Sequence, residues 1–234
     1  MKKPIHIISG LTLLLASFIV NASIQLSSTR LIFEEHVREA SVTVRNKGDT
    51  RLIQSWLDKD QPDQAVPPFA VTPPLAKLDK EGQQLLRIHY AGQGLPDDRE
   101  SMYWLAVQEI PQKAQGANVV QFAVQQRIKV FYRPMGLAGK AIEAPKALTL
   151  TLAGGQLTLN NPTPYFINLA SVEAGAKGLG GEAIAPFGQL SLPARQLQAN
   201  DQLELIIVND FGAHQRWQGQ LSQGRGQPLT LKKA

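Results

Sequence analysis

The chain has 234 residues, 43% of them hydrophobic, no cysteine and a formal charge of +5. That length holds two domains of about 100 residues each, and the lack of cysteine excludes disulfides, thiol catalysis and thiolate zinc sites. The mild positive excess favours anionic partners of some kind.

The first residues read as a removable leader. Lys2 and Lys3 form a basic start, residues 7–20 are mostly apolar, and Val20-Asn21-Ala22 offers small or short residues at cleavage spacing. This pattern predicts a secretory signal cut after Ala22, with a mature chain beginning at Ser23. Losing Lys2 and Lys3 lowers the charge by two, to +3. The apolar run falls short of the ~20 residues a membrane span needs, and no later run reaches it, so export without membrane insertion is expected. Nucleic acid is not an expected partner of an exported chain.

Short alternating runs follow. Residues 24–33 (IQLSSTRLIF) predict a first strand, with Arg30 inside it. Residues 40–45 (ASVTVR) and 51–58 (RLIQSWLD) predict two more, separated by the turn Asn46-Lys47-Gly48-Asp49. Together these three read as a meander. Residues 62–74 hold five prolines and read as irregular or edge-like, with a short strand at 69–73. Further strands are expected at 84–90 and at 100–110 (ESMYWLAVQEI), the latter rich in aromatic and apolar residues.

The next run, 119–134 (VVQFAVQQRIKVFYRP), organises the rest. Val120, Phe122, Val124, Ile128, Val130 and Tyr132 share one parity, and Gln121, Gln125, Arg127, Lys129 and Arg133 the other. Gln126 breaks the apolar face; Ala123 and Phe131 break the polar one. Fully extended, the run would reach ~50 Å, far beyond the usual strand of about 5–6 residues. It is either a central strand paired on both flanks or a strand offered to another protein, since an apolar edge left open is an aggregation hazard.

Beyond Pro134 the composition shifts, and residues 135–140 (MGLAGK) read as a linker. Strands are expected at 148–152, 156–160, 166–172, 189–192, 202–208, 216–221 and 229–232. Residues 175–181 (GAKGLGG) match neither a phosphate loop nor a dinucleotide fingerprint and read as a flexible loop. No stretch has sustained helical periodicity. Each half thus carries the strand number and spacing of a β-sandwich.

Two other functions can be weighed on residues. An enzyme would need a constellation, but His36, His89 and His214 are scattered and predict no metal motif. A sugar-binding module could use Trp56, Trp104 and Trp217, yet each lies in an apolar strand pattern expected of core.

Blocks along both halves resemble the periplasmic pilus chaperones of the chaperone–usher pathway. They are Ser28-Thr29-Arg30 with Ile32-Phe33, residues 52–57 (LIQSWL), 71–75 (VTPPL), 95–111 (LPDDRESMYWLAVQEIP), 128–134 (IKVFYRP), 161–169 (NPTPYFINL) and 208–212 (VNDFG). The 95–111 block is the most diagnostic. Ala106 departs from it where Asn is usual, and Gln112 where a small residue or Pro is usual. The short 111–118 connection and the absence of cysteine resemble the short F–G loop branch.

The resemblance implies an all-β chain of two immunoglobulin-like β-sandwich domains at an angle, residues 23–138 and 139–234, with a cleft between them. It implies a chaperone, not an enzyme, with no cofactor or metal. Its partners would be pilus (fimbrial) subunits lacking their last strand, and an outer-membrane usher that receives them. Val120, Phe122 and Val124 would be donor-strand residues filling pockets in the subunit. Arg30 and Lys129 would anchor the C-terminal carboxylate of the subunit, setting a register in which a one-residue slip turns every pocket residue away. Glu109, Arg133 and Asp210 would form an ionic bridge between the domains. Exposure of the donor strand predicts self-association of the free chaperone.

Overall fold

A computed structural model describes residues 23–59, 66–110 and 122–221, together with the backbone of 222, 225–226 and 230–231. The expected leader, Val120 and the 111–118 connection lie outside the described residues.

The first half folds as two sheets. β1 (Ile24–Leu26) and β2 (Arg30–Glu34) replace the single first strand expected, because the chain crosses between sheets at residues 27–29. β1 pairs antiparallel with β3 (Glu39–Asn46), whereas β4 (Arg51–Asp58) lies in the opposite sheet. The predicted meander is therefore wrong: the turn after β3 carries the chain over the core instead of back along the same sheet. β5 (Phe69–Thr72), β6 (Leu75–Leu78) and β7 (Gln83–Tyr90) follow. β6, immediately after the proline-rich region, escaped the sequence reading; it is an edge strand, where proline neighbours are tolerated. β8 (Ser101–Ile110) and β9 (Gln125–Arg133) complete the domain. One sheet runs β1-β3-β7-β5 and the other β2-β9-β8-β4-β6.

Alternation decides what is buried. On β4, Ile53, Ser55 and Leu57 point inward while Leu52, Gln54 and Trp56 point out. On β9, Ile128, Val130 and Tyr132 enter the core with Phe33, Leu86, Ile88 and Leu105.

After a 3-10 stretch at Ala141–Ala147, the second half forms β10 (Thr149–Ala153), β11 (Gln156–Asn160), β12 (Ile167–Ala174), β13 (Lys177–Gly180) and β14 (Ala183–Ile184). β15 (Gln189–Pro193), β16 (Gln202–Val208), β17 (His214–Ser222), β18 (Arg225–Gly226) and β19 (Thr230–Leu231) follow. The glycine-rich segment read as a flexible loop is in part β13, an edge strand turned back on β12 through Gly175 at φ +60°. An edge ladder needs backbone groups only, so glycine does not prevent it. A second core gathers Leu157, Leu159, Ile167, Leu205 and Trp217, separate from the first.

Two buried asparagines hold matching turns. Asn46 Nδ2 donates to the carbonyls of Asp49 (2.9 Å) and Asp79 (3.0 Å). Asn161 Nδ2 donates to those of Tyr165 (2.7 Å) and Ala185 (3.0 Å). With all their bonds made inside, both are fully buried without the cost of an unpaired amide. The Asn161 turn matters for the site, because it delivers Phe166 and Asn168 to the junction between the sandwiches.

Candidate functional site

The site grows from the pairing of β2 with β9, which is parallel with Arg30 opposite Lys129. Neighbouring strands lie about 4.8 Å apart, so two cations stand side by side on one face. Both are held from the second sandwich. Arg30 donates through one terminal nitrogen to the Val208 carbonyl (3.3 Å), and Lys129 Nζ donates to Asn168 Oδ1 (2.9 Å). Lys129 also stands 5.6 Å from the centre of the Trp104 ring, its cross-strand neighbour. The buried Arg30 Nε has no acceptor among the described residues. Burial lowers the Arg30 pKa, and Asp210 opposes it. Two partly buried cations side by side form a site whose charge an anion would offset.

β2 covers β9 only from Lys129 onward. Along residues 122–128 no strand of the described residues occupies that edge. Beside it runs a groove of about 710 Å³ lined by Ile24, Leu26, Thr29, Gln126, Arg127 and Ile128, among others. Gln126, the polar break in the apolar face, donates to the Ile24 carbonyl at 2.7 Å and ties β1 to the root of this segment. Beyond Gln125 the chain leaves the regular ladder, so β9 is shorter than the run expected. Phe122 is 78% exposed and Val124 40%. Their parity is that of the core residues, yet both stay exposed, because among the described residues no strand covers that edge of β9.

At its other end β9 meets the second sandwich. Phe131 has outward parity yet is 2% exposed, because Phe166 covers it at 5.5 Å between ring centres. Arg133 reaches Glu100 (2.7 Å), Asp210 (3.0 Å) and Glu34 (3.3 Å). The second oxygen of Glu100 accepts the Phe166 N–H at 2.7 Å, and the Glu100 N–H donates to the Pro164 carbonyl at 2.9 Å. Burial pushes the Glu100 carboxyl above the ordinary glutamate value, against the pull of Arg133 and the Phe166 N–H. Burial also works against the Arg133 charge, but Glu100 and Asp210 outweigh it and its pKa is raised.

Arg133 and Asp210 thus meet, but the expectation for Glu109 fails. Ser101 pairs with Tyr132, while the Glu109 N–H donates to Val124 at the far end of the hairpin. Nine residues of strand put Glu109 about 30 Å from Arg133. Its partners are Arg51 at 2.6 Å and Ser23. Glu100 occupies the bridging place, and the sequence holds a signal for it: antiparallel pairing of the two runs sets residue 100, not 109, beside 133.

The other motifs resolve simply. Among the described residues no group of three or more His, Asp or Glu could hold a metal, and no helix is long and apolar enough to cross a membrane. Trp217 is core at 1% exposure. Trp56 and Trp104, expected in the core, instead lie half-buried on the outward face, where alternation with Ser55 and Leu57 on β4 and with Tyr103 and Leu105 on β8 sends them.

Residues 23–138 match the N-terminal domain of the pili and flagellar-assembly chaperone PapD, and residues 143–219 match the C-terminal domain of the pili assembly chaperone PapD. The probable fimbrial chaperone LpfB of Escherichia coli O157:H7 is 40% identical over 221 residues, covering 91% of this chain and 94% of LpfB. The chaperone FimB/FhaD of Bordetella pertussis is 36% identical, covering 82% of this chain and 85% of its own. The crystal structure of the YadV chaperone superimposes with a TM-score of 0.74 at 34% identity, covering 86% of this chain and all of that one. A Salmonella enterica complex of SafA pilin with the SafB chaperone matches with a TM-score of 0.75 at 28% identity, covering 82% of this chain and 92% of that one.

Proposed function

Because this chain belongs to the PapD family of pili-assembly chaperones, we propose that it captures pilus subunits on the open edge of β9. A strand of the pilus subunit would lie along residues 122–128, with Phe122 and Val124 (and Val120 before them) entering its pockets. Main-chain bonds would supply generic affinity and the alternate side chains the fit. The observation that carries this reading is the pair Arg30 and Lys129, placed where β2 stops covering β9.

That placement also gives a direction. β2 runs parallel to β9 and begins at Arg30. A strand added on the same edge, in line with β2 and parallel to it, would end at Arg30. Its free carboxylate would then meet both cations, whereas an antiparallel strand would bring its amino end to them and be repelled. Anchored at that point, the added strand has its register fixed, so its pocket residues meet Phe122 and Val124 and not the intervening side chains.

The same reading has Arg133, Glu100 and Asp210 orient the two domains, and has the chain, exported to the periplasm, hand capped subunits to an outer-membrane usher. It assigns no catalytic residue, cofactor or metal. The short 111–118 connection supports the short F–G loop branch. When no pilus protein is bound, the exposed Phe122 is the residue through which two copies would associate.

The test is capture of the pilus subunit that co-purifies with the tagged protein from a periplasmic extract. Arg30→Ala and Lys129→Ala should each weaken it by about 1.5–3 kcal/mol with the melting temperature kept. Phe122→Asp should abolish most binding and leave the free fold intact, since an exposed side chain leaves no cavity. Unfolding of the free Phe122→Asp protein would overturn the donated-strand reading.

A further inference from the structure

Next to the anchor the second sandwich holds a pocket of about 280 Å³, walled by Ile142, Phe166, Asn168, Val208, Phe211 and Gln215. Ligand pockets for whole small molecules run ~300–1,000 Å³, so this one suits a single side chain. Two of its wall residues are the ones bonded to the anchor: Asn168 accepts from Lys129, and the Val208 carbonyl accepts from Arg30. A chain end clamped between those cations has its last side chains within a few bonds of the pocket mouth.

Phe211 stands at that mouth, 89% exposed. It is not a loose side chain on a loose loop. Asn209 Oδ1 accepts the N–H groups of Phe211 and Ala213, each at 3.0 Å, and the Gly212 N–H donates to the Asn209 carbonyl at 2.9 Å. Gly212 has φ +82°, and a Cβ there would come 2.5 Å from Thr29 Oγ1 of the first sandwich. A side chain at that position would be strained by conformation and would force Thr29 to shift. Exposing an aromatic ring to water gains nothing for the free protein, but a backbone already fixed beneath it lowers the ordering cost of a contact made later. The charged lining residues Arg133 and Asp210 neutralise each other at 3.0 Å. Lys140 supplies the further charge, on a long side chain that can turn to water.

We propose that this pocket receives an apolar side chain from one of the last two residues of the captured chain, and that Phe211 sets which chain ends are accepted. The proposal rests on the carboxylate-anchor reading. Successive side chains of an extended chain point to opposite sides, so one of the two positions faces the second sandwich and the other does not.

The experiment uses synthetic peptides of alternating valine and threonine with a free C-terminal carboxylate, carrying Phe or Ala at each of the last two positions. Binding is read by amide shift changes in the isotope-labelled full chaperone, which report weak association. A Phe at one position, and not the other, should tighten binding about tenfold and shift the 209–213 loop. Phe211→Ala should cut that preference below about twofold while the Ala-ended peptide binds as before; Ile142→Ser should move it the same way. No preference at either position, or a preference that survives Phe211→Ala, overturns the proposal. If the amidated peptide binds as tightly as the free acid, or Arg30→Ala changes nothing, the anchor reading itself has failed and the proposal falls with it. That failure is told apart by the loss of carboxylate dependence.

Discussion

Glu100 immediately precedes β8 and Glu109 is its penultimate residue; each is 4% exposed and each meets an arginine, Arg133 at 2.7 Å or Arg51 at 2.6 Å. In burial and in first partner the two are nearly equal. They differ in where the remaining partners come from. Glu109 is completed by Ser23, inside its own sandwich. Glu100 is completed by the Phe166 N–H, and its arginine by Asp210, both from the other sandwich. A buried ion pair seldom adds net stability over apolar packing. What distinguishes Glu100 is that its lone pairs are satisfied only when the two domains stand in one arrangement. The hydrophobic cores are separate, so core packing does not enforce that arrangement, and a directional polar junction can.

The comparison can be broken most forcefully at Arg133. Arg133→Ala strands Glu100 in the interior and removes the counterion of Asp210 and Glu34, and should cost about 3–5 kcal/mol. The folded remainder should also lose its fixed domain arrangement, seen as a wider distance distribution in small-angle scattering. A lower melting temperature with an unchanged distribution would mean that the junction is held by other contacts.

Arg51→Ala is the matched control. It strands Glu109 and should cost about 3 kcal/mol, confined by calorimetry to the first sandwich, with the scattering of the folded protein unchanged. A change in scattering would erase the distinction between the two glutamates. A smaller effect is expected for Asp210→Asn. Its side chain is 38% exposed, so the loss should be about 0.2–1 kcal/mol, read as a small fall in midpoint. A larger loss would make Asp210 as central to the junction as Glu100.

The smallest effect is a pH dependence. The Glu100 carboxyl titrates above its ordinary value in the folded state, so the native protein takes up this proton more readily than the unfolded chain. Its stabilising contribution is full below the ordinary glutamate value, about 4.3, and is lost as pH rises through the raised folded value. The stability of the parent relative to Glu100→Gln should therefore fall as pH rises across that window. Melting both proteins in steps of pH would show it; a flat or rising difference contradicts the burial-dominated account.

Period alone made most strands legible, because alternation is a local property of the chain. β4, β11 and β16 begin and end where the pattern predicts. The outward placement of Arg127, Lys129 and Arg133 followed from the same parity. Two of the three breaks in the pattern of 119–134 carried real information that periodicity could not decode: Phe131 is apolar on an outward face because the other sandwich covers it, and Gln126 is polar on the core face because it ties β1 to β9.

Which strand joins which sheet was decided only in three dimensions. The switch from β1 to β2 and the crossing from β3 to β4 leave no mark on alternation, since a strand has the same period in either sheet. The partner of Arg133 is the sharpest case. Glu100 and Glu109 both lie close to the ends of one apolar run, and composition ranks neither above the other. The hairpin register selects Glu100, and the second sandwich then supplies Phe166 and Asp210, both remote in sequence. Local chain chemistry determined the elements and their faces; long-range pairing, which depends on hydrogen-bond register and on surfaces distant in sequence, decided which charges meet.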